Sequence, residues 1–204
     1  MADDKAIQIL SRLSSLKTQR TTWESHWQEV ADFVVPRKAD VTKNRSPGDK
    51  RSEMVFDGTA IHAAELLSAS LHGMLTSAAT SWFSLRYRSE DLNSDDAAME
   101  WLQGVEDVMY KAFSRSNFQE QIHELYHDLI TFGTAVMFID SDDEQQLRFS
   151  TRHIKECYLS EDDKGRVDTV FREFKMPIRA ALKRFGEDKL SSKILERGKK
   201  NPYE

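Results

Sequence analysis

The stretch R-T-T-W-E-S-H-W-Q-E-V-A-D-F-V-V-P, from Arg20 to Pro36, decides how the first third of the chain folds. Apolar residues recur at three- or four-residue intervals through Leu10, Leu13, Leu16, Trp23, Trp27, Val30 and Val34, the spacing of one helical stripe. Asp3 and Asp4 suit the positive N-terminal end of a helix, and Pro36 lies beyond the last turn because its ring clashes with the turn before it. The spacing predicts a long amphipathic helix from Asp3 to about Val34. Trp23 and Trp27, together with Trp82, are expected in the core or in a subunit contact, where aromatic residues are enriched.

Outward from that helix, Pro36 to Arg51 gathers Arg37, Lys38, Lys43, Arg45, Lys50 and Arg51 against Asp40 and Asp49, with Pro47-Gly48 as a turn signal. This reads as an exposed basic loop. Asp57 is a suitable N-cap for a helix running to about Ser77, A-I-H-A-A-E-L-L-S-A-S-L-H-G-M-L, whose Ala, Ser and Gly content lets other backbones approach on several sides, in the core or against a neighbouring subunit. W-F-S-L-R-Y-R, from Trp82, reads as a short strand. Ser94 is expected to cap a helix from Asp95 to about Ser114, with Met99, Leu102, Val105, Val108, Met109 and Phe113 on one side. Asn117 is expected to cap another, Phe118 to about Phe132, with the stripe Phe118, Ile122, Leu125, Tyr126 and Leu129.

After Gly133 the period changes. Apolar runs at Ala135 to Ile139, Leu147 to Phe149, Glu156 to Leu159 and Val167 to Phe174 predict a small antiparallel sheet, with a turn at Lys164-Gly165. Pro177 suits the first position of a helix reaching Gly186, and a last helix from Leu190 to about Arg197 is expected to stop at Gly198. The order of elements is α+β: residues 1–133 mainly helical, 134–176 a small sheet, 177–204 short helices.

Composition narrows the class of molecule. Charged residues are 31% of the 204 against 39% apolar, with net charge −5, too apolar for a disordered chain and too charged for one embedded in a membrane. No apolar run approaches the roughly 18 residues of a spanning helix, and no secretory signal opens the sequence. The single Cys157 cannot form an internal disulfide, which fits a reducing cytosol, and is expected as a small buried residue in a strand.

Signs of catalysis are sparse. His123-Glu124-Leu125-Tyr126-His127 matches H-E-x-x-H, which in zinc peptidases sets two imidazoles on one helix face with the glutamate as general base. The extension that supplies a third ligand fails, because Ile130 and Gly133 occupy its Gly and His positions. No downstream glutamate is offered on a second helix. The two histidines fall with Gln119, Glu120 and Asp128 on the polar flank, so we read a solvated helix face, with zinc hydrolysis as the alternative. There is no phosphate-binding glycine loop, no Cys/His cluster with metal spacing and no G-x-S-x-G turn. The acidic run Asp140, Asp142, Asp143, Glu144 lacks the pattern of a calcium loop and reads as a hairpin turn. The basic loop could contact phosphates, but no aromatic is interleaved to stack on bases. Catalytic, cofactor and metal residues are therefore not expected; a basic-loop nucleic-acid-binding module is a further alternative.

R-x-x-W-x-x-x-W-x-x-V-x-x-F-V-x-P at Arg20 to Pro36, F-D-G-T-A at Phe56 to Ala60, W-F-S-L at Trp82 to Leu85, F-G-T-A-V-M-F at Phe132 to Phe138, F-R-E-F-K-M at Phe171 to Met176 and K-R-F-G-E-D-K-L at Lys183 to Leu190 follow one another in order. Together they resemble the N-terminal region of podovirus-type phage portal proteins, also called head-to-tail connectors. The resemblance implies a structural protein without cofactor: a dodecameric ring at one capsid vertex that supports head assembly, DNA packaging and ejection, and tail attachment. It implies as partners further copies of the chain, the major capsid protein, scaffolding protein, tail adaptor proteins, terminase and double-stranded DNA, with no membrane, and a place in the virion after assembly in the host cytoplasm. Net acidity agrees, since fixed cations would hold DNA instead of letting it slide. Family portals are considerably longer. Residues 1–204 are expected to be a peripheral wing region, with the stem, clip and terminase contacts in sequence not present here.

Overall fold

A computed structural model describes residues 2–46, 48–142 and 146–201. Helix α1 (Ala2–Val34) holds 33 residues, about 50 Å at 1.5 Å per residue. Its predicted stripe divides along this length: Trp27 is buried, whereas Leu10 and Trp23 are exposed. The C-terminal half of α1 has its packing partners inside this chain, and most of the N-terminal half faces solvent. A one-turn 3-10 helix, Pro36–Lys38, ends the run, with Pro36 at its first position.

Helix α2 (Thr59–Leu75) follows, and Asp57 accepts the Thr59 N–H and hydroxyl at 2.9 and 2.8 Å. Only Ala64 and Ser68 are buried on α2, so it packs on one side, and Leu66, Leu67, Met74 and Leu75 point away from the chain. The segment expected as a strand, Trp82 to Arg88, joins no ladder among the described residues. Side chains of the next helices bind its backbone instead. Tyr110 Oη accepts from Phe83 N–H and donates to Phe83 O, both at 2.8 Å, and Glu106 accepts from Leu85 N–H at 3.0 Å.

A short helix α3 (Glu90–Asn93), not expected from the sequence, precedes α4 (Asp96–Arg115). The cap of α4 is Asp95, one residue after the expected Ser94, and its carboxylate accepts the Ala98 N–H at 2.9 Å. Leu102 is buried on α4, but Val108, expected on the same side, is exposed. Helix α5 (Phe118–Phe132) buries Phe118, Ile122, Asp128 and Phe132; Leu129, placed in the stripe by spacing, is exposed. Gly133 closes α5 at φ +73°, a left-handed position open to glycine without strain, and turns the chain into the first strand.

Strands β1 (Val136–Asp142) and β2 (Gln146–Arg152) pair antiparallel, from Val136 opposite Arg152 to Asp142 opposite Gln146. Asp143 and Glu144 of the expected acidic turn lie outside the described residues, as do Pro47 and the last three residues of the chain. The side chain of Asn117, expected as an N-cap, bonds both Phe149 N–H and Phe149 O at 2.9 Å, and so ties the start of α5 to β2. Strands β3 (Cys157–Glu161) and β4 (Val167–Arg172) form a second two-stranded sheet, with Asp162 and Gly165 in its turn. The α+β class stands, and its sheet region consists of two two-stranded pieces.

Two buried clusters hold the first unit, Met1–Phe171. One joins Trp27, Ala31, Ala39, Val41, Phe132 and Ile154; the other packs Phe118, Ile122 and Phe149 with Trp82, Phe113 and Leu125. Trp82 stacks on Phe118 at 5.6 Å and 7°.

The second unit, Arg172–Glu204, contains helices α6 (Ile178–Phe185) and α7 (Ser192–Lys200). Gly198, expected to end the last helix, lies inside α7, where a Cβ would meet Ile178 Cγ2 at 2.8 Å. The hydrogen at Gly198 is what lets the two helices approach. Gly198→Val is expected to lower the stability of this unit by about 1–3 kcal/mol through overpacking, read by hydrogen exchange on α6 and α7; unchanged protection would refute the close contact.

Candidate functional site

Four polar residues at four-residue spacing, Arg20, Glu24, Gln28 and Asp32, run beside the buried edge of α1. Glu24 fixes the Arg20 guanidinium at 2.6 Å. Arg20 then donates to the carbonyls of Ile154, Lys155 and Cys157 at 3.0, 3.1 and 2.5 Å and lies over the Tyr158 ring at 3.7 Å. The start of β3 is thereby fastened to α1. Cys157 is buried at the start of this strand. The indole N–H of Trp27 donates to Phe132 O at 3.1 Å, a carbonyl at the end of α5. Beside these contacts a 490 Å³ cavity opens between Leu16, Trp23, Trp27, Phe132 and Tyr158.

The basic loop is largely a brace: it is exposed, as expected, at Arg37, Lys43 and Lys50, while Lys38, Arg45 and Arg51 are half-buried. The amide of Gln28 donates to Ala39 O at 2.7 Å and accepts from Thr42 and Lys43 N–H at 2.9 and 3.1 Å, folding the loop back on α1. Lys43 reaches Asp32 at 2.6 Å; Arg45 binds Asp40 at 2.9 Å and Asp32 at 3.4 Å; Arg51 binds Asp40 at 3.0 Å. Burial acts to raise the Asp40 pKa, but contacts with Arg45 and Arg51 together hold it below the ordinary aspartate value. Lys38 crosses to α5, 2.5 Å from Asp128 and 2.8 Å from Glu124. Arg37 and Lys50 are exposed and form no ion pair among the described residues.

The H-E-x-x-H histidines are half-buried and face α2, not a fully solvated helix face. His123 Nε2 lies 3.4 Å from Ser68 Oγ, and His127 Nε2 lies 3.5 Å from a Glu65 carboxylate oxygen. His72 meets His123 edge-on at 5.8 Å, and its pKa is lowered by burial and then by His123. The small side chains of α2 admit α5 on this side. Glu124, which would be the general base, is held by Lys38. No three His, Cys, Asp or Glu side chains form a metal-binding group among the described residues.

Of the tryptophans, Trp27 is buried, Trp82 is half-buried in the aromatic cluster, and Trp23 remains 59% exposed. Other large apolar side chains turned outward are Phe56 at 88%, Met74 at 73% and Trp101 at 63%. Sequence reasoning missed Gln28, Asp32 and Asp128 as organisers. The four-residue spacing of polar groups along α1 was the available signal for the first two.

Residues 6–204 match the family model described as bacteriophage head to tail connecting protein. The chain is 32% identical over 187 residues to a probable portal protein of Bordetella phage BPP-1, covering 91% of this chain and 34% of that protein. It is 32% identical over 205 residues to the portal protein of Salmonella phage epsilon15, covering 100% of this chain and 37% of that one. The chain thus spans about a third of the length of these curated relatives. With its ordered motifs on the elements described above, the chain belongs to the bacteriophage head-to-tail connecting protein family.

Proposed function

We propose that this chain is a non-enzymatic structural part of a phage portal, contributing to a ring of identical subunits at the capsid vertex. The observation that carries the reading beyond family membership is the outward apolar surface. Leu66, Leu67, Met74 and Leu75 of α2, and Trp101 and Val108 of α4, are exposed although both helices are already packed on another side. Exposed apolar area on this scale marks association surfaces, and a ring subunit needs two of them, one for each neighbour. The reading puts the protein in the virion, with capsid, scaffolding and tail proteins as its contacts and residues 1–204 as a peripheral wing. No described helix is long and apolar enough to cross a membrane.

Electron microscopy of the full-length gene product tests the proposal. Ring-shaped particles with a central channel are the expected result, and monomers at micromolar concentration would overturn it. Zinc hydrolysis gains no support from the site, because the second helix face is filled by α2 and the glutamate by Lys38.

A further inference from the structure

Helices α2 and α5 run antiparallel along their seam, as the matched contacts show: Glu65 meets His127, Ser68 meets His123, and His72 meets His123 and, at 6.5 Å, the Tyr126 ring. Glu65, Ser68 and His72 stand three and four residues apart, on one face of α2. Ser68 is fully buried and its hydroxyl donates to Glu65 O at 3.0 Å. Its oxygen therefore accepts from His123, whose neutral ring carries the proton on Nε2. His72 Nδ1 lies 3.1 Å from the hydroxyl of Thr76, which is also buried.

The two ends of the seam differ in charge. At one end a 330 Å³ recess gathers Glu65, Glu120 and Glu124 with Arg37, Lys38 and His127, so carboxylates surround His127. At the other end His72 faces His123, Tyr126 and Thr76, and neither His72 nor His123 pairs with a carboxylate among the described residues. On α1, which touches both helices, Glu24 and Asp32 are taken up by Arg20, Lys43 and Arg45.

We propose that this seam is a proton-operated hinge: when His72 and His123 take up protons, residues 69–75 of α2 separate from α5, while Glu65 and His127 hold the start of the helix. Two charged rings 5.8 Å apart repel, and half-burial withholds the water that would screen them. Burial, and then His123, lowers the His72 pKa below the ordinary histidine value. Such a group contributes stability that is complete above its unfolded pKa, about 6.5, and that is lost as pH falls through the folded one. At the other end a charged His127 attracts Glu65 and closes the seam. Asp128 of α5 acts in the opposite sense, since its raised pKa favours the folded state as pH falls. Met74 and Leu75 of the outward apolar face ride on the released half. That their release withdraws an association surface rests on the ring reading; the hinge itself does not.

Hydrogen exchange between about pH 8 and 5, the range in which histidines titrate, tests the hinge when expressed as protection factors, which remove the intrinsic pH dependence of exchange. Protection at residues 69–75 is expected to fall below about pH 6.5, by up to about tenfold per pH unit for each proton taken up on opening. Residues 63–67 and α4 are expected to keep theirs. His72→Gln should abolish the fall and His123→Gln should reduce it, whereas His62→Gln, at an exposed position of α2, should leave it unchanged. In the unaltered chain, the His72 ring followed by NMR is expected to titrate below exposed His62. Protection at 69–75 that ignores pH, an equal fall in α4, a fall that survives His72→Gln, or His72 titrating together with His62 would each overturn the inference. Rings of the full-length product with an α2 indifferent to pH would refute the hinge and leave the proposed function standing.

Discussion

Replacing Trp27 with alanine is expected to lower the stability of the chain by about 3–5 kcal/mol, the usual cost of removing a buried large aromatic side chain. Two losses combine. The indole leaves the cluster of Ala31, Ala39, Val41, Phe132 and Ile154, where the basic segment, α5 and the start of β3 meet α1. Its N–H also leaves Phe132 O, one of the terminal carbonyls of α5 that no residue further along the helix can satisfy. Trp27→Phe separates the terms: it keeps most of the apolar contact and is expected to cost about 1–3 kcal/mol for the unpaired carbonyl and the smaller ring. Trp23→Ala, four residues earlier in the same motif, removes a mostly exposed ring and is expected to cost under about 1 kcal/mol in this chain. Urea unfolding of the three variants decides it. Equal losses for Trp23→Ala and Trp27→Ala would mean that the cluster is not where the chain is held.

That contrast also marks the limit of what periodicity reveals. The spacing of Trp23 and Trp27 made α1 legible, and the stripes of α4 and α5 placed both helices within about a residue of their ends. Spacing does not say which apolar residues meet a partner in the same chain. Val108 and Leu129 have helical spacing with buried neighbours yet face outward, as do four large residues of α2. A helix with apolar residues on more than one side has no single buried face to read, and a surface built for another chain has the same composition as a core. The segment from Trp82 reads as a strand in the sequence because an apolar aromatic run of this kind usually joins a ladder. Here Tyr110 and Glu106 of α4 satisfy its backbone.

Polar contacts were less legible than apolar ones for a different reason. The count of cations between Arg37 and Arg51 was plain in the sequence, but Lys38 finds Asp128 across 90 positions. Local composition made that segment resemble a solvated loop and made the His123–His127 face resemble a wet one. The segment stays largely exposed, but its cations are tied to Asp32, Asp40 and Asp128, and the histidine face is half-buried because α2 and α5 pack through small and polar residues, with Ser68 buried between them. The match of H-E-x-x-H is thus a by-product of two histidines lying on a helix–helix seam.

Lys38→Met is expected to cost about 3–5 kcal/mol at neutral pH, because it strips the ammonium from a buried carboxylate. Asp128 is 2% exposed, with Lys38 Nζ at 2.5 Å. Burial raises its pKa above the ordinary aspartate value; Lys38 and, more weakly, His153 oppose the rise, while Glu124 adds to it. A carboxyl whose pKa is raised by folding binds its proton more tightly in the folded state. Its contribution to stability is therefore complete below the unfolded pKa and is lost as pH climbs through the folded one. Removing Lys38 raises the folded pKa further and leaves Glu124, one turn away, as an unopposed like charge. The penalty of Lys38→Met should accordingly shrink as pH is lowered through the raised folded-state pKa of Asp128, where the carboxyl takes up its proton, and grow toward neutrality. Lys38→Met/Asp128→Leu replaces the pair with apolar groups and is expected to recover most of the loss, since a buried ion pair seldom outperforms apolar packing. A penalty independent of pH, or a double variant no more stable than Lys38→Met, would show that Lys38 stabilises the chain through its aliphatic stem and not through the charge of Asp128.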